Sequence, residues 1–554
     1  MEEGEMNRKI ALIMVPLLIL STVAMTGRTF AQPTIKLGII GPQGLPHWSP
    51  GMWEAAQMAV EEINAAGGVN LGGTTYQFAL EPGNEHAVPE PDPPSAVNEV
   101  TRLISEGWCK FIIGGFRTEV TGPMIEAAAS WGVPFFICGA ATNELITETV
   151  WKDYDHYKYI FRITPVNSSQ LLYTTTLYLR DYLIPQVLLP AFGVDLDGNP
   201  ATPKQVRVAV LTEDLKWTEL IHYLLTNPAI YPSLLGPYAN VTCALRVPEN
   251  AGLPGGPPIS DYIVPVINSK ARLMIIVFSG RCAVPLILAW KAYNVKAIPV
   301  GINVLGQLKS YWYTYTNEGC QYEVTMKNTG TRTPVTPQAV EFWDKFETRT
   351  GDWPLYTAWG AYDAIYALKE TLESLGPECA QQVKQYLEAT PGTMPAPDCL
   401  IQAFEATYRW GLTKIFKYTS HPTLGPGKGH DVYSQSPGIY WPDNYTRAMM
   451  VQWLKISGKG VQEVVSPIDQ LYSRRTILPP WMYEWFVWDI RLDGKVDMSD
   501  VGDALRAFGA KPGHPRWEMG KADVNFDGKV DMSDIGDILR KFGKAAPSWP
   551  IDQE

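Results

Sequence analysis

Residues 111–142 read FIIGGFRTEVTGPMIEAAASWGVPFFICGAAT, and this stretch decides the fold class. A short apolar run, FIIGG, is followed by an amphipathic segment of helical spacing and then by a second apolar run, PFFICG. Two buried strands on either side of one helix are typical of a β-α-β unit, in which the strands are parallel. The stretch therefore predicts strands at 111–115 and 134–139, with a helix at 121–131 between them.

The same alternation of strand and helix extends in both directions. Strands that alternate with helices of this length form parallel sheets covered on both faces. We therefore predict an α/β chain with two doubly wound parallel-sheet lobes, joined by crossovers such as FRITPVNSSQ, and a cleft at the carboxyl ends of the strands. The other predicted strands lie at 35–41, 75–81, 206–214, 273–280 and 297–302, and the other helices at 51–66, 94–106, 218–225 and 284–293.

The composition argues against some classes of function. The 554 residues include 57 acidic and 46 basic side chains, and the net charge is -11. Nucleic-acid binding depends on clustered Lys and Arg, so we expect no nucleic-acid partner. The sequence has no G-x-S-x-G, H-E-x-x-H or P-loop motif, so we expect no enzyme. Cys379 and Cys399 flank a Pro-rich loop and could form a disulfide.

The N-terminal segment predicts export. Asn, Arg and Lys at 7–9 precede an apolar run at 10–23, and Ala31 offers a small residue for cleavage. This order is typical of a secretory signal peptide, and the run is shorter than a comfortable membrane span. We assign residues 1–31 to the signal peptide. We expect a secreted, extracellular or cell-surface protein, periplasmic in a Gram-negative envelope, with no membrane span in the mature chain.

A calcium-loop pattern occurs twice near the C-terminus, as LDGKVDMSDVGDALRAFG from residue 492 and FDGKVDMSDIGDILRKFG from residue 526. Each copy places side-chain oxygens and a turn glycine where a hard cation requires them. We predict two Ca²⁺ sites, the first weaker because Arg491 stands at its third loop position. The predicted metal ligands are Asp489, Asp493, the Lys495 carbonyl, Asp497 and Asp500 in the first site, and Asp523, Asn525, Asp527, the Lys529 carbonyl, Asp531 and Asp534 in the second.

Another interpretation of these repeats needs no metal, because each Asp can cap the free N–H groups of a starting helix. That interpretation leaves the repeated glycine unexplained. A loop followed by a helix at 501–508 or 535–542 resembles the type I dockerin over residues 488–543. The resemblance implies a small α-helical calcium-loop module that contacts a cohesin-like surface protein through loop positions 10 and 11. In this chain those positions hold Met498, Ser499, Met532 and Ser533.

Seven further segments carry a second resemblance. They are IKLGIIGP, EEINAAGGV, GGFRTEVTGP, PFFICGAATNEL, FRITP, AVLTEDLKW and AWGAYDAIYAL. Together they resemble the periplasmic-binding-protein type I family, in particular the leucine/isoleucine/valine and amide binding proteins of ABC importers. The resemblance implies lobes that close about a hinge on a small solute and deliver it to an ABC permease. The predicted bounds are 34–162 with 338–410 for the first lobe, 163–337 with 411–475 for the second, and 482–554 for the calcium module.

The candidate ligand site begins with a run of small residues after the fourth strand. Exposed N–H groups at the carboxyl edge of a sheet form an anion-binding nest. Gly139, Ala140, Ala141 and the Thr142 hydroxyl are therefore predicted to hold a carboxylate, the alternative being that small residues only permit close packing. Arg117 lies in the neighbouring loop. It is predicted either to bind the same anion or to form a salt bridge to a nearby carboxylate such as Glu119.

The family resemblance adds further residues to the site. It includes Thr118 in the first-lobe grip and places Trp48 and Trp217 against the ligand, although a Trp is often a core residue. Amino-acid binders of the family hold the ligand ammonium with a second-lobe acid, and the matching position here is Asn303, with Arg281 nearby. A buried ammonium without a counter-charge is costly. We therefore expect an acid or an amide rather than a zwitterion.

Two functions from different classes remain open on the sequence. The first is an extracellular solute-binding protein of an ABC importer, which captures a small carboxylate, amide or amino-acid-like molecule between its lobes and is held at the surface by its calcium module. The second is a cell-surface structural or assembly protein with a vestigial cleft. Binding of a small molecule in the cleft distinguishes them, because a ligand of the native state raises its stability.

Overall fold

The structure, a computed structural model, consists of two α/β lobes followed by a small helical module. The predicted α/β class, with lobes built on parallel sheets, is confirmed. The described residues are 32–42, 49–88, 90–164, 166–195, 203–327, 330–332, 336–412, 414–432, 448–466, 476–482, 488, 490–491, 495–510, 516, 522, 524 and 529–544.

The first lobe begins with six strands, which are β1 Thr34–Gly41, β2 Val69–Leu71, β3 Thr74–Asn84, β4 Phe111–Gly114, β5 Phe135–Ile137 and β6 Ile160–Arg162. They form a sheet in the order β2-β3-β1-β4-β5-β6, in which β2 is antiparallel to β3 and the other neighbours are parallel. The central strands are continuously apolar because both faces of the sheet are covered. The covering helices are α1 Ser49–Ala65, α2 Pro93–Ser105, α3 Thr118–Ser130, α4 Glu144–Thr147 and α5 Tyr154–Tyr157.

The chain then crosses to the second lobe. A long helical segment opens it, with α6 Ser168–Tyr178, a π-helix Leu179–Leu188 and α7 Leu189–Phe192. The alternation that follows is that of the first lobe, so that buried parallel strands are again separated by amphipathic helices. Its elements are β7 Val206–Glu213, α8 Lys216–Thr226, α9 Tyr231–Leu235, β8 Ala239–Val247, α10 Ser260–Asn268, β9 Leu273–Phe278, α11 Ala283–Ala292, β10 Ile298–Asn303 and β11 Val324–Lys327.

The chain returns to the first lobe before it completes the second. The returning elements are α12 Pro337–Thr350, α13 Tyr356–Ser374, α14 Pro377–Glu388, α15 Asp398–Glu405, β12 Tyr408–Gly411 and β13 Lys414–Lys417. Strands β14 Met449–Ile456 and β15 Lys459–Ser466 then extend the second sheet to the order β15-β14-β11-β10-β9-β7-β8. Tyr418 and Val432 pack in the first lobe's core. The predicted assignment of 411–475 to the second lobe is therefore wrong for residues up to 432.

The C-terminal module has a core of its own, formed by residues such as Val496, Val501, Val530 and Ile535. Its helices are α16 Met498–Ala507 and α17 Met532–Arg540, which begin three residues before the predicted starts at 501 and 535. The earlier start has a physical cause. Asp497 and Asp531 accept hydrogen bonds from the backbone N–H groups of Ser499 and Ser533, and each helix has a capping box.

Two further expectations concern the chain as a whole. Cys379 and Cys399 are joined by a disulfide, as the sequence allowed. Among the described residues, no helix is both long and apolar enough to cross a membrane.

Candidate ligand-binding site

A cleft between the lobes contains the carboxyl ends of strands from both sheets. It encloses about 420 Å³, including space open to solvent. Its walls are mostly apolar. The first lobe and the crossover contribute Phe116, Arg117, Thr118, Glu119, Gly139, Ala141, Val166 and Tyr356, and the second lobe contributes Leu171, Leu215, Trp217, Ser279, Ile302 and Val304.

The predicted nest forms one end of this cleft. The carbonyls of its loop are held from behind: Tyr356 Oη donates to Gly139 O at 3.3 Å, and Ser168 N donates to Ala141 O at 2.7 Å. Among the described residues, the N–H groups of Gly139 and Ala141 have no acceptor. The prediction needs one correction, because the N–H of Ala140 donates to Gly115 O at 3.1 Å and is not available to a ligand.

Helix α3 adds donors to the same end of the cleft. It begins at Thr118, and Arg117 at its N-cap provides no side-chain cap. Thr118 lines the cleft, and its hydroxyl lies 3.4 Å from the hydroxyl of Thr142. Thr142 is 2% exposed and is not among the lining residues. Because the first N–H groups of a helix carry partial positive charge, this end of the cleft suits a carboxylate without a cationic side chain.

A buried glutamate fixes the first-lobe loop. Glu85, directly after β3, accepts hydrogen bonds from Phe116 N at 2.7 Å and Arg117 N at 3.4 Å. Burial raises the pKa of Glu85 to about 8. The side chain thus holds the β4–α3 loop in place and carries little negative charge at neutral pH.

A second buried glutamate does the same in the other lobe. Glu213, the last residue of β7, accepts from Ser279 N and from Gly280 N at 2.7 Å and from Ser279 Oγ at 2.6 Å. Burial raises the pKa of Glu213. Ser279 in turn accepts a hydrogen bond from Trp217 Nε1 at 3.2 Å, so that this network positions two cleft-lining side chains.

Arg117 joins the two lobes. Its Nη1 and Nη2 atoms lie 3.0 and 2.9 Å from the carboxylate oxygens of Glu249, which belongs to the second lobe, and its Nε lies 3.9 Å from Glu119. The arginine is 7% exposed. Of the two predicted roles, the structure therefore shows the salt bridge, with Glu249 rather than Glu119 as the closer partner.

The remaining predicted ligand residues divide into three groups. Trp217 lines the cleft and is 8% exposed, and its contact with a ligand stays a prediction. Trp48 lies outside the described residues. Arg281 is exposed and is not among the residues that line the cleft.

Asn303 also differs from its prediction. It is fully buried, and its Nδ2 donates to Tyr311 Oη at 2.9 Å and to Glu323 Oε1 at 2.7 Å. Because strand neighbours point to opposite faces, Ile302 and Val304 line the cleft and Asn303 does not. Asn303 is therefore a core residue, not the position that faces a ligand's amino group.

Only part of the predicted metal sites can be placed. Asp500 and Asp534 are fully buried at position 12 of each loop, where they accept from Arg491 N at 3.1 Å and Val524 N at 2.9 Å. Across the described part of the chain, no group of three or more potential metal-ligating side chains is present. Lys495, Asp497, Lys529 and Asp531 are also described, whereas Asp489, Asp493, Asp523, Asn525 and Asp527 lie outside the described residues.

The predicted partner residues lie on the surface of the module. Met498 is 62% exposed and Met532 is 64% exposed, and Ser499 and Ser533 follow them in the first turns of α16 and α17. Two further apolar pairs are exposed, one on these helices and one just after their ends. These are Leu505 with Leu539 and Phe508 with Phe542.

Several cleft residues were missed by the sequence analysis. Glu85, Glu213 and Ser279 carry the networks that hold the loops, and Glu249 provides the partner of Arg117. A signal for the first two was present, since each acid ends or directly follows an apolar strand whose carboxyl end faces the cleft. The pairing of Glu249 with Arg117 is a contact between lobes, which no local pattern reveals.

Comparison with known proteins agrees with this geometry. Residues 34–183 match the periplasmic binding protein family. Much of the chain also superposes on solved solute-binding proteins. A Rhodopseudomonas palustris ABC-transporter protein in complex with benzoate has a TM-score of 0.52 at 14% identity, covering 80% of this chain and 99% of that one. The chain has the fold of a periplasmic binding protein.

Other relatives with this fold bind different molecules. The Streptococcus pneumoniae branched-chain amino acid transporter substrate-binding protein, in complex with isoleucine, has a TM-score of 0.52 at 16% identity and covers 78% of this chain and 100% of its own. The leucine-, isoleucine-, valine-, threonine- and alanine-binding protein of Pseudomonas aeruginosa is 29% identical over 147 residues. That match covers 26% of this chain and 34% of the relative, about a third of its length.

Glu85→Gln should alter how stability depends on pH. Between the ordinary pKa of 4.5 and the raised pKa of about 8, the native chain holds a proton that the unfolded chain releases, so wild-type stability falls as pH rises. Glutamine keeps an acceptor for Phe116 N but cannot ionise. Relative to the wild type, the free energy of unfolding of the variant should therefore rise by up to a few kcal/mol across this pH range. The measurement is the melting temperature of both proteins as a function of pH.

Glu99→Gln is the control for this measurement. Burial acts to raise the pKa of Glu99, but hydrogen bonds from Arg102 and Asn84 lower it overall, so its effect on stability changes only in acid. Its curve should run parallel to the wild-type curve through neutral pH. Parallel curves for Glu85→Gln as well would contradict the assigned role of Glu85.

Glu249→Gln should loosen the closed arrangement of the lobes. The change leaves the buried Arg117 guanidinium without its bidentate partner. Because Glu249 is partly exposed, the closed arrangement should lose about 1 kcal/mol of stabilisation. Solution scattering of the ligand-free protein should show a larger radius of gyration. Asp214→Asn removes a carboxylate that pairs with Arg246 within the second lobe and should leave the radius unchanged. Equal radii for all three proteins would show that the ion pair does not hold the lobes.

Proposed function

We propose that this protein is an extracellular solute-binding protein of an ABC importer that captures a small carboxylic acid with an apolar or aromatic body. The observation that carries the proposal is the combination of N–H donors at one end of the cleft with apolar and aromatic walls elsewhere. Phe116, Tyr356 and Trp217 supply rings, and Ile302 and Val304 supply aliphatic surface. The solved relatives in complex with benzoate and isoleucine make both body types reasonable.

The second-lobe acids favour a ligand that needs no ammonium group. Glu213 is occupied by the N–H groups and hydroxyl of the Ser279 loop, and Glu249 is occupied by Arg117. Glu119 of the first lobe also lines the cleft and lies 3.9 Å from Arg117 Nε, so an ammonium would have to compete with the partners of all three acids. Aromatic and branched-chain acids, or their amides, therefore fit the cleft better than the corresponding amino acids.

Ligand screening tests the function. Benzoate, 4-hydroxybenzoate, 4-methylpentanoate, its amide, leucine and isoleucine should be compared by thermal shift and calorimetry, and at least one acid should raise the melting temperature. Ala141→Leu places three extra carbons at the nest and should raise the dissociation constant of that acid by about tenfold to a hundredfold. Ala406→Leu adds the same carbons at an exposed position and should not.

The other outcomes of the screen are equally informative. Tight binding of leucine with none of its deaminated acid would overturn the preference for acids. If no compound raises the melting temperature of either the wild type or Ala141→Leu, the alternative of a surface structural or assembly protein is supported. The Arg117–Glu249 pair would then be a permanent clasp between the lobes.

We further propose that the C-terminal module binds two Ca²⁺ ions and attaches the protein to a cohesin-like surface partner. The fit rests on Asp500 and Asp534, because a fully buried carboxylate that bonds back to its own loop closes that loop around the ligand positions. The capping boxes explain the starts of the helices but not this burial. The ions would supply the positive charge that draws the loop carboxylates together.

The module is also internally symmetric. Val496 N donates to Lys544 O at 2.8 Å, and the equivalent residue of the second repeat, Val530, donates its N–H to Ala510 O at 3.0 Å, so that each bond joins the two halves. The exposed pairs Met498 and Met532, Leu505 and Leu539, and Phe508 and Phe542 therefore occur once in each half. This arrangement supports two near-equivalent partner surfaces.

Asp534→Asn tests the calcium proposal. It removes the charged ligand at position 12 of the second loop and should abolish the tighter of two Ca²⁺ sites in calorimetry on the EDTA-treated full chain. Asp537→Asn, on the same helix but paired with Arg540, should leave both sites intact. Absence of any Ca²⁺ uptake by the wild type would leave helix capping as the role of these acids.

A further inference from the structure

Another pocket lies at the amino ends of the strands in the second lobe's sheet. Arg207 is near the start of β7, Arg272 directly precedes β9, and Lys296 lies just before β10. The ligand cleft, in contrast, is at the carboxyl ends of these strands. Since β9 has six residues, the two sites are about 20 Å apart along the strands.

The lining of this pocket is basic. Arg207, Lys270, Arg272 and Lys296 all contribute, and no Asp or Glu is among the lining residues. This is unusual in a chain with 57 acidic and 46 basic side chains. Within the described ranges, Arg207, Lys270 and Lys296 form no ion pair with a carboxylate.

Arg272 is held in position by other groups. Its guanidinium lies over the Phe192 ring at 4.9 Å, and its Nη1 donates to Met482 O at 3.3 Å. The pocket, about 990 Å³ including space open to solvent, also has an apolar rim. Tyr293 is 58% exposed and Ile267 is 41% exposed. Cations beside exposed rings and aliphatic surface suit an anion that carries an organic body.

Helix capping explains only part of this charge. Lys270 and Lys296 follow the C-termini of α10 and α11, where a cation is favourable. Arg207 and Arg272 stand at strand starts, where no helix end accounts for them. The convergence of Arg207, Lys270 and Lys296 on one pocket therefore calls for a ligand.

We propose that this pocket is a second binding site, separate from the solute cleft, for a phosphate or phosphodiester group attached to an organic body. Guanidinium groups bind phosphate oxygens bidentately, and lysines add positive charge. The group can come from a soluble organic phosphate or from an anionic lipid headgroup at the cell surface. The exposed Ile267 and Tyr293 would contact the organic part in either case.

The full chain should be tested with two probes. Calorimetry at low ionic strength would use glycerol 1-phosphate, and flotation would use phosphatidylcholine vesicles with and without phosphatidylglycerol. Binding of either probe supports the site. Binding of glycerol 1-phosphate alone identifies a soluble phosphate as the source, and binding of the phosphatidylglycerol vesicles alone identifies a lipid headgroup. Arg207→Gln with Lys296→Gln should weaken binding at least about tenfold.

A matched variant separates a built site from general charge. Lys36→Gln with Lys459→Gln removes the same charge from exposed positions far from this pocket and should bind the probes as the wild type does. Equal losses in both double variants, or no binding of either probe by the wild type, would overturn the proposal. Binding of the cleft solute should be unchanged in both variants, so this test is independent of the importer function.

Discussion

The bidentate ion pair between Arg117 and Glu249 is the contact on which the cleft depends, because it links a first-lobe loop to a second-lobe loop. It is effective only if both loops are fixed within their lobes. Glu85 fixes the first by accepting the N–H groups of Phe116 and Arg117, and Glu213 fixes the neighbouring second-lobe loop by accepting those of Ser279 and Gly280. Each lobe thus uses one buried acid at the end of a strand to shape its half of the cleft.

This arrangement bears on the proposed recognition of a ligand by backbone donors. The arginine that could have bound an anion is neutralised by Glu249, and what remains for a ligand is the N–H groups of the Gly139 loop and of the α3 N-terminus. Such donors are fixed by the fold and need no side-chain ordering when a carboxylate arrives. On the proposed mode of binding, lobe closure and ligand recognition would therefore be carried by different groups.

The sequence predicted the parts of this protein that local patterns determine. The β-α-β alternation predicted both sheets, and the small residues after β5 predicted the nest, because strand order places their N–H groups at the cleft edge. It failed where a contact joins distant segments. Arg117 meets Glu249 across 132 positions, and the side chain of Asn303 lies in the core because a one-residue shift along a strand changes the face to which a side chain points. The return of residues 411–432 to the first lobe is likewise set by tertiary packing around Tyr418 and Val432.

The C-terminal module follows a different logic from the lobes. A lobe buries a wide sheet and is stabilised by the large apolar area that this removes from water. The module has one small core, which includes Val496, Val501, Val530 and Ile535. Small cores supply little net stability after conformational entropy is counted, and domains of this size commonly rely on a metal or a disulfide. Its acidic loops contain buried Asp500 and Asp534, whose burial is unfavourable unless compensated by hydrogen bonds and positive charge. On the proposal that the module binds two Ca²⁺ ions, its folding and its cation binding would be parts of one equilibrium.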